Sequence, residues 1–456
     1  PRLRFQFQVV NQHSFSAFSE LERKFLLFLL SNPRFQSGGA EYLSFQWQNS
    51  FLLIYITAMF LLRASLLLGS FLALMANVVV SEGALPSSQA HQLPISNIPA
   101  IQVKGGSDDI SLKAYIEKAL EGKDLTAAET EEAWGRMLKG AEPNQIAALL
   151  VLLRAKGETP AEVAGMVRAM RSACVPVEAE GRLLDIVGTG GDGAHTINIS
   201  TAAAVLAAAC GAKVCKAGNR SVSSSCGSAD VLEALGVRID AAPAAVAQCV
   251  ARCGVGFMFA PVNHPSMKAV APVRRALGVR SAFNILGPMT NAAGAQRVVI
   301  GVFQEGLLRL MADALKEVGY IDHAVVIHGA GLDEISPLGP STIVEVKNVA
   351  PEGRPKKYKT KTFKFDPRSV GVPRCSLEDL QGGDARRNAE ELRTVLRGGP
   401  HTDAKRDAVA LNAGVGLYVY GLEPSIKKGI ERAYKVLKSG KAEEQLDLWI
   451  KTSKST

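Results

Sequence analysis

Leu183–Cys210 reads LLDIVGTGGDGAHTINISTAAAVLAAAC. A short apolar run, LLDIV, gives way to four glycines within six residues (Gly188, Gly190, Gly191 and Gly193). A rim of Thr196, Asn198, Ser200 and Thr201 follows, then an alanine-rich run. Strand, glycine turn and helix in that order form a building unit of an α/β protein. Bare backbone lets N–H groups approach an anion closely, and the N-terminus of the following helix adds partial positive charge. A turn alone needs one or two glycines. Four, with a ring of hydroxyl and amide donors, point to a phosphate site.

Two familiar phosphate loops are disfavoured. GTGGDG satisfies G-x-G-x-x-G, but a dinucleotide fold places an acid for the ribose about 20 residues later. Here the next strand ends Lys213-Val214-Cys215-Lys216, and the first downstream carboxylate is Asp230. No Gly-Lys-Ser/Thr follows, so a Walker loop is missing too.

Outward from this unit the alternation continues. AKVCK, GFMFA, RVVIGV and HAVVIH read as strands, separated by helical runs such as SADVLEALG, AAVAQCVARCG and LLRLMADALKEVG, which implies a mostly parallel sheet covered by helices. Before Pro176 the pattern is helical only. SDDISLKAYIEKALEG carries apolar residues at helical spacing and stops at Gly122, and Thr126-x-x-Glu129 and Thr159-Pro160-x-Glu162 match capping boxes. Four helices and no strand are expected there. The fold class is therefore α/β, with a small all-α domain over residues 108–177 and a large α/β domain over 178–456.

The 456 residues, 47% apolar and 21% charged, exclude a disordered or fibrous chain. Seven cysteines show no CxxC pair and read as buried free thiols of a reducing compartment. Net charge is +9, of which residues 1–105 contribute +3, a weak argument for an anionic ligand. Residues 1–107 contain no Asp and read as a targeting segment and linker. Within them 51–80 is apolar except for Arg63 and a few small polar residues. Counted from Met59 it resembles a secretory signal, and Arg63 divides it too early for a membrane anchor. The mature protein is expected to have no stable membrane partner.

A second polar loop repeats the first theme. KAGNRSVSSSCGSADVLEALG supplies Lys216, Arg220, five serines and two glycines before a helix starting near Ser228, suggesting a ligand with phosphates at both ends. Asp333 and Glu334 lie together in HGAGLDEISPLG, where paired acids can hold Mg²⁺. Lys356–Phe365, KKYKTKTFKF, interleaves basic and aromatic residues. It reads as an edge strand guarded by lysines, and no nucleic-acid partner is expected.

GTGGD, NIST, KAGNRSVSS, GSADVLEALGV, the run Phe257–Asn291, GLDEIS and RDAVALNAG occur in the order and spacing of the anthranilate phosphoribosyltransferases, which the chain resembles over about residues 108–450. The resemblance implies a homodimer on a nucleoside phosphorylase/phosphoribosyltransferase-like fold, the small domain being completed by helices from about 265–290. It implies transfer of the phosphoribosyl group of 5-phosphoribosyl diphosphate to anthranilate with Mg²⁺ as cofactor, in tryptophan biosynthesis, without a nucleophilic residue. By position, Gly188, Gly191, Asp192, Thr196, Asn198, Thr201, Lys216 and Ser228 match the diphosphate-substrate contacts, with Thr189, Gly190 and Arg220 in the same loops. Ser200, Asp333 and Glu334 match the metal ligands. Asn219 and Arg274 match anthranilate positions. The family and the long extension suggest a plant plastid stroma after cleavage of a transit peptide. Three departures stand out: Ala217 where bacterial members usually read K-H-G-N, Ser225-Cys226 for a frequent Lys-Ser, and Ala292 for the usual Pro after TN. Pyrimidine nucleoside phosphorylases look like distant relatives, but their glycine loop differs from GTGGD.

Overall fold

The computed structural model describes residues 110–221, 225–398 and 403–456; the targeting segment and linker read from the sequence lie outside the described residues. Seven strands form one sheet: β1 (Leu184–Gly188), β2 (Val214–Gly218), β3 (Val255–Phe259), β4 (Arg297–Gly301), β5 (His323–Gly329), β6 (Ser341–Asn348) and β7 (Tyr358–Phe365). Their order is β3-β2-β1-β4-β5-β6-β7, parallel through β5 and antiparallel for the last two pairs. The chain runs outward from β1 on one side and from β4 on the other, so the strand order reverses between these two. In open α/β sheets, ligands bind at the carboxyl ends of strands at such a reversal.

Alternation of side chains along each strand builds two cores. Leu184, Ile186, Val214, Val255, Phe257, Val299 and Ile327 face helices Ile199–Ala209, Ser228–Leu235 and the four C-terminal helices from Ala385 to Ser455. Cys215, Met258, Val298, Ile300, Ala324 and Val326 face the other way, toward the N-terminal helices and Leu307–Val318. Such two-sided burial explains the near-continuous apolar strands.

Four helices precede the sheet: Lys113–Leu120, Ala127–Leu138, Pro143–Lys156 and Pro160–Ser172. Both capping boxes are made, by Thr126 with Glu129 and by Thr159 with Glu162. Glu162 goes further. Fully buried, it accepts hydrogen bonds from Leu125 N (2.9 Å), Thr159 N (2.8 Å) and Lys156 Nζ (2.9 Å), and so joins three segments of the bundle. Helix Met267–Leu277 packs on helices 143–156 and 127–138. The lysine-rich run is an edge strand, β7, and all seven cysteines are free, with Cys174 and Cys375 half-buried and the other five buried. β6 had no reading from the sequence. No helix among the described residues is long and apolar enough to cross a membrane.

Candidate active site at the strand reversal

The register of β1 on β4 sets Gly188 beside Gly301 at the carboxyl ends of the two strands. The loop after β5 crosses over both. A Cβ on Gly301 would overlap the Asp333 carbonyl, one on Gly188 the Asp333 carboxylate, and one on Gly329 the Glu334 carbonyl. Three strands thus end in glycine because the acidic loop rests directly on their backbone.

So seated, the acids reach the glycine turn and the helix behind it. Gly190 N donates to Asp333 Oδ2 at 2.6 Å, and Ser200 N, in the first turn of helix 199–209, donates to Glu334 Oε1 at 3.1 Å. Both N–H groups belong to the anion cradle read from the sequence, so carboxylates lie where negative charge is favoured. Burial, with the Asp192 carboxylate beside it, pushes Asp333 up to about 7. Burial, then Asp333 and Asp192, hold Glu334 well above the ordinary carboxylate range.

Lys216 is fully buried in β2. Its Nζ donates to Ile186 O at 2.7 Å and to Ser200 Oγ at 3.3 Å, and desolvation draws its pKa down. On the opposite face of the sheet Asp185, also fully buried, accepts from Ala217 N (3.3 Å) and Asn291 Nδ2 (2.7 Å) and is pushed up to about 6 by its burial. Asn291 also donates to Cys215 O at 2.9 Å. The two strand ends that carry the polar loops are therefore tied together on both faces.

Among the remaining expected residues, Thr189 accepts from Phe303 N at 3.1 Å and Asp192 from Ala194 N at 3.1 Å. Thr196 bridges to Gln381. Asn198 donates to Cys226 O and accepts from Asn388 Nδ2, both at 3.0 Å. Thr201 Oγ1 is buried without a hydrogen-bond partner. Ser228 Oγ closes the second loop against Asn219, accepting from its N–H and donating to its carbonyl, each at 3.2 Å. Two residues stand apart. Arg220 is engaged by Asp230 (2.9 Å) and Glu233 (2.8 Å) and is not brought to the glycine turn. Arg274 lies in the last turn of helix 267–277 with its guanidinium 4.9 Å from the Phe283 ring centre, half-buried and without an ion-pair partner among the described residues.

Sequence reading missed Asp185, Asn291, Gly301, Gly329, Phe303, Asn388 and Arg280. Only the glycines left a trace, as strands that close on glycine in VVIGV and VIHGAG.

Ser200, Asp333 and Glu334 form an all-oxygen donor set suited to a hard cation, and the crowding of buried acids is what a cation would relieve. Among the described residues no group of three His, Cys, Asp or Glu side chains is arranged as a metal cage. Two carboxylates with a hydroxyl suffice for Mg²⁺, which completes its shell with water and substrate phosphates.

A glycine-walled anion cradle at the reversal point of an α/β sheet, beside a helical bundle, is the arrangement of an α/β protein that takes a phosphorylated ligand. The helical-bundle domain of the glycosyl transferase family matches residues 113–174 and the a/b domain of that family matches 180–443. The anthranilate phosphoribosyltransferase of Methanosarcina acetivorans is 46% identical over 334 residues, 72% of this chain and 86% of the relative. That of Chlamydia caviae is 43% identical, over 74% of this chain and 95% of the relative. The crystal structure of the Thermus thermophilus enzyme superposes with a TM-score of 0.68 at 44% identity, covering 74% of this chain and 99% of that one. The Saccharomyces cerevisiae enzyme in complex with PRPP and Mg superposes equally, at 0.68 and 25% identity, covering 76% and 99%. The chain belongs to the anthranilate phosphoribosyltransferases.

Proposed function

We propose that the cleft over Gly188 and Gly301 binds 5-phosphoribosyl diphosphate and that the chain joins its C1 to the amine of anthranilate. The C1–N bond forms with the amine's electron pair as the C1–O bond breaks. Diphosphate leaves with the bonding pair, and the surplus amine proton passes to water. Positive charge builds on the ribose and negative charge on the departing group, so positioned donors suffice and no covalent intermediate is needed. The observation that carries this reading is that Asp333 and Glu334 sit on Gly190 N–H and Ser200 N–H, which brings an acidic pair and an anion cradle to one point.

The N–H groups of residues 191–193, the hydroxyls of Thr196 and Thr201, and Asn198 and Ser228 meet phosphate oxygens, while the buried Lys216 amine stands behind Ser200. Ser200, Asp333 and Glu334 would hold Mg²⁺, which when bound neutralises charge on the diphosphate. Arg274, having no carboxylate of its own, is free to take the anthranilate carboxylate bidentately, with Asn219 close to the same substrate. A homodimer is part of this reading, supported by the family and by exposed Leu120 and Val151 on the N-terminal helices. So is a plastid location, supported by the Asp-free extension and the free thiols.

The test follows anthranilate fluorescence with 5-phosphoribosyl diphosphate, with and without Mg²⁺, in the full chain and in Asp333→Ala/Glu334→Ala. Metal-dependent consumption that drops by about 10²-fold or more in the double variant is expected. Folded parent protein that consumes no anthranilate would overturn the reading.

A further inference from the structure

Arg280 lies between helix Met267–Leu277 and the short helix Phe283–Leu286, on a segment no part of the phosphate cradle includes. It nonetheless reaches the glycine turn. Its Nη2 donates to the Gly191 carbonyl at 2.6 Å, and its guanidinium stands 4.1 Å from the centre of the Phe303 ring. Phe303 is itself fixed to the turn, since its N–H donates to Thr189 Oγ1. No carboxylate competes for Arg280 among the described residues.

The bond matters because of where it falls. Gly190, Gly191 and Gly193 all have left-handed backbone, at φ of 66°, 81° and 73°, so this turn has little steric preference for one peptide orientation over another. In a trans peptide the C=O and the following N–H point in opposite directions. Capturing the Gly191 carbonyl therefore aims the Asp192 N–H away from Arg280 and fixes one plane of the cradle. The same stretch of chain holds the other end: Phe283, three residues on from Arg280, is the ring against which Arg274 lies, and it packs in turn on Trp134 at 5.1 Å.

We propose that Arg280 is a positioning residue for the transfer reaction, locking the glycine turn to the segment that carries Arg274 so that the two substrate positions are set together. This rests on the function proposed above. A planar guanidinium can stack and donate at once, which an ammonium cannot, so lysine should replace it only in part.

The test compares Arg280→Ala, Arg280→Lys and Phe303→Leu with the parent, all in the full chain, by steady-state kinetics, thermal midpoint and hydrogen exchange of the amides of residues 188–194. In Arg280→Ala the KM for 5-phosphoribosyl diphosphate should rise about tenfold and that for anthranilate should rise with it, while kcat changes less. Exchange in the turn should quicken. Arg280→Lys should recover part of both, and Phe303→Leu should fall between it and the parent. The lock is overturned if Arg280→Ala leaves both KM values and turn exchange at parental levels, if only the thermal midpoint moves, or if Phe303→Leu behaves as the parent. Exchange reads the lock without turnover, so an inactive parent would sink the proposed function while leaving this result interpretable.

Discussion

Replacing Gly301 by alanine tests whether the acidic loop works because it lies on bare strand ends. A Cβ built there stands 1.4 Å from the Asp333 carbonyl oxygen, while real Cβ atoms essentially never come within 3.0 Å of another heavy atom. The loop must retreat by about 1.6 Å, and the obstacle is backbone, which cannot rotate aside as a side-chain tip would. Gly301 is an ordinary strand residue, so the substitution adds no conformational penalty of its own. Overpacking of this kind costs about 2–3 kcal/mol of stability. The larger effect should be on activity. Such a retreat breaks the 2.6 Å bond from Gly190 N to Asp333, and a misplacement near 1 Å lowers turnover by about 10²-fold. The assay pairs urea unfolding with anthranilate consumption across a Mg²⁺ titration, and the variant should also need more metal. Gly306→Ala is the control, because a Cβ there meets nothing within 4 Å and the backbone φ of −60° suits alanine. A Gly301→Ala enzyme with parental metal dependence and kcat/KM within about threefold of the parent would refute the close-seat reasoning.

Other consequences follow from the packing. Glu162→Ala strips three donors of their buried acceptor and leaves Lys156 with Asp124 and the Gly157 carbonyl; it should destabilise the bundle by about 3 kcal/mol, read by chemical unfolding, whereas Glu162→Gln should lose less. Glu345 is held below its ordinary pKa first by His323 Nε2 at 2.8 Å, with Tyr418 OH donating at 2.6 Å. A lowered folded value means stability that is present above the ordinary carboxylate range and is lost as pH falls through the folded value. Comparing urea midpoints at about pH 6 and about pH 3, Glu345→Gln should lose less than the parent; an equal loss would show that the cluster is not the source. The raised groups Asp185, Asp333 and Glu334 act with the opposite sign, which is why the difference between parent and variant is the quantity to read.

What the sequence revealed and what it hid divide along one physical line. The strand–glycine turn–helix unit was legible because its parts are consecutive: strand, turn and helix N-terminus fall within Leu184–Ala209, and glycine and hydroxyl residues declare their backbone requirements locally. The N-terminal helices were legible for the same reason, their capping boxes spanning four residues each. β6 was not, because STIVEVKN follows a polar loop, and a half-buried strand near an edge has only alternation to mark it. Asp185, Asn291 and Arg280 were hidden differently. Each acts across 89 or more residues of chain or faces such a partner: Arg280 meets Gly191 from 89 positions away and Asn291 meets Asp185 from 106. An isolated arginine in GVRSAFN looks like any solvated arginine until the fold sets a carbonyl and a ring before it. Gly301 shows the intermediate case. Its presence at a strand end could be seen, but what lands on it, a loop more than 30 residues downstream, is decided by the register of β1, β4 and β5. The sheet therefore does more than display loops at its carboxyl edge: by ending three strands in glycine it lets the acidic loop come down onto Gly190 N–H and Ser200 N–H, so the position of both acids is set by the strand register.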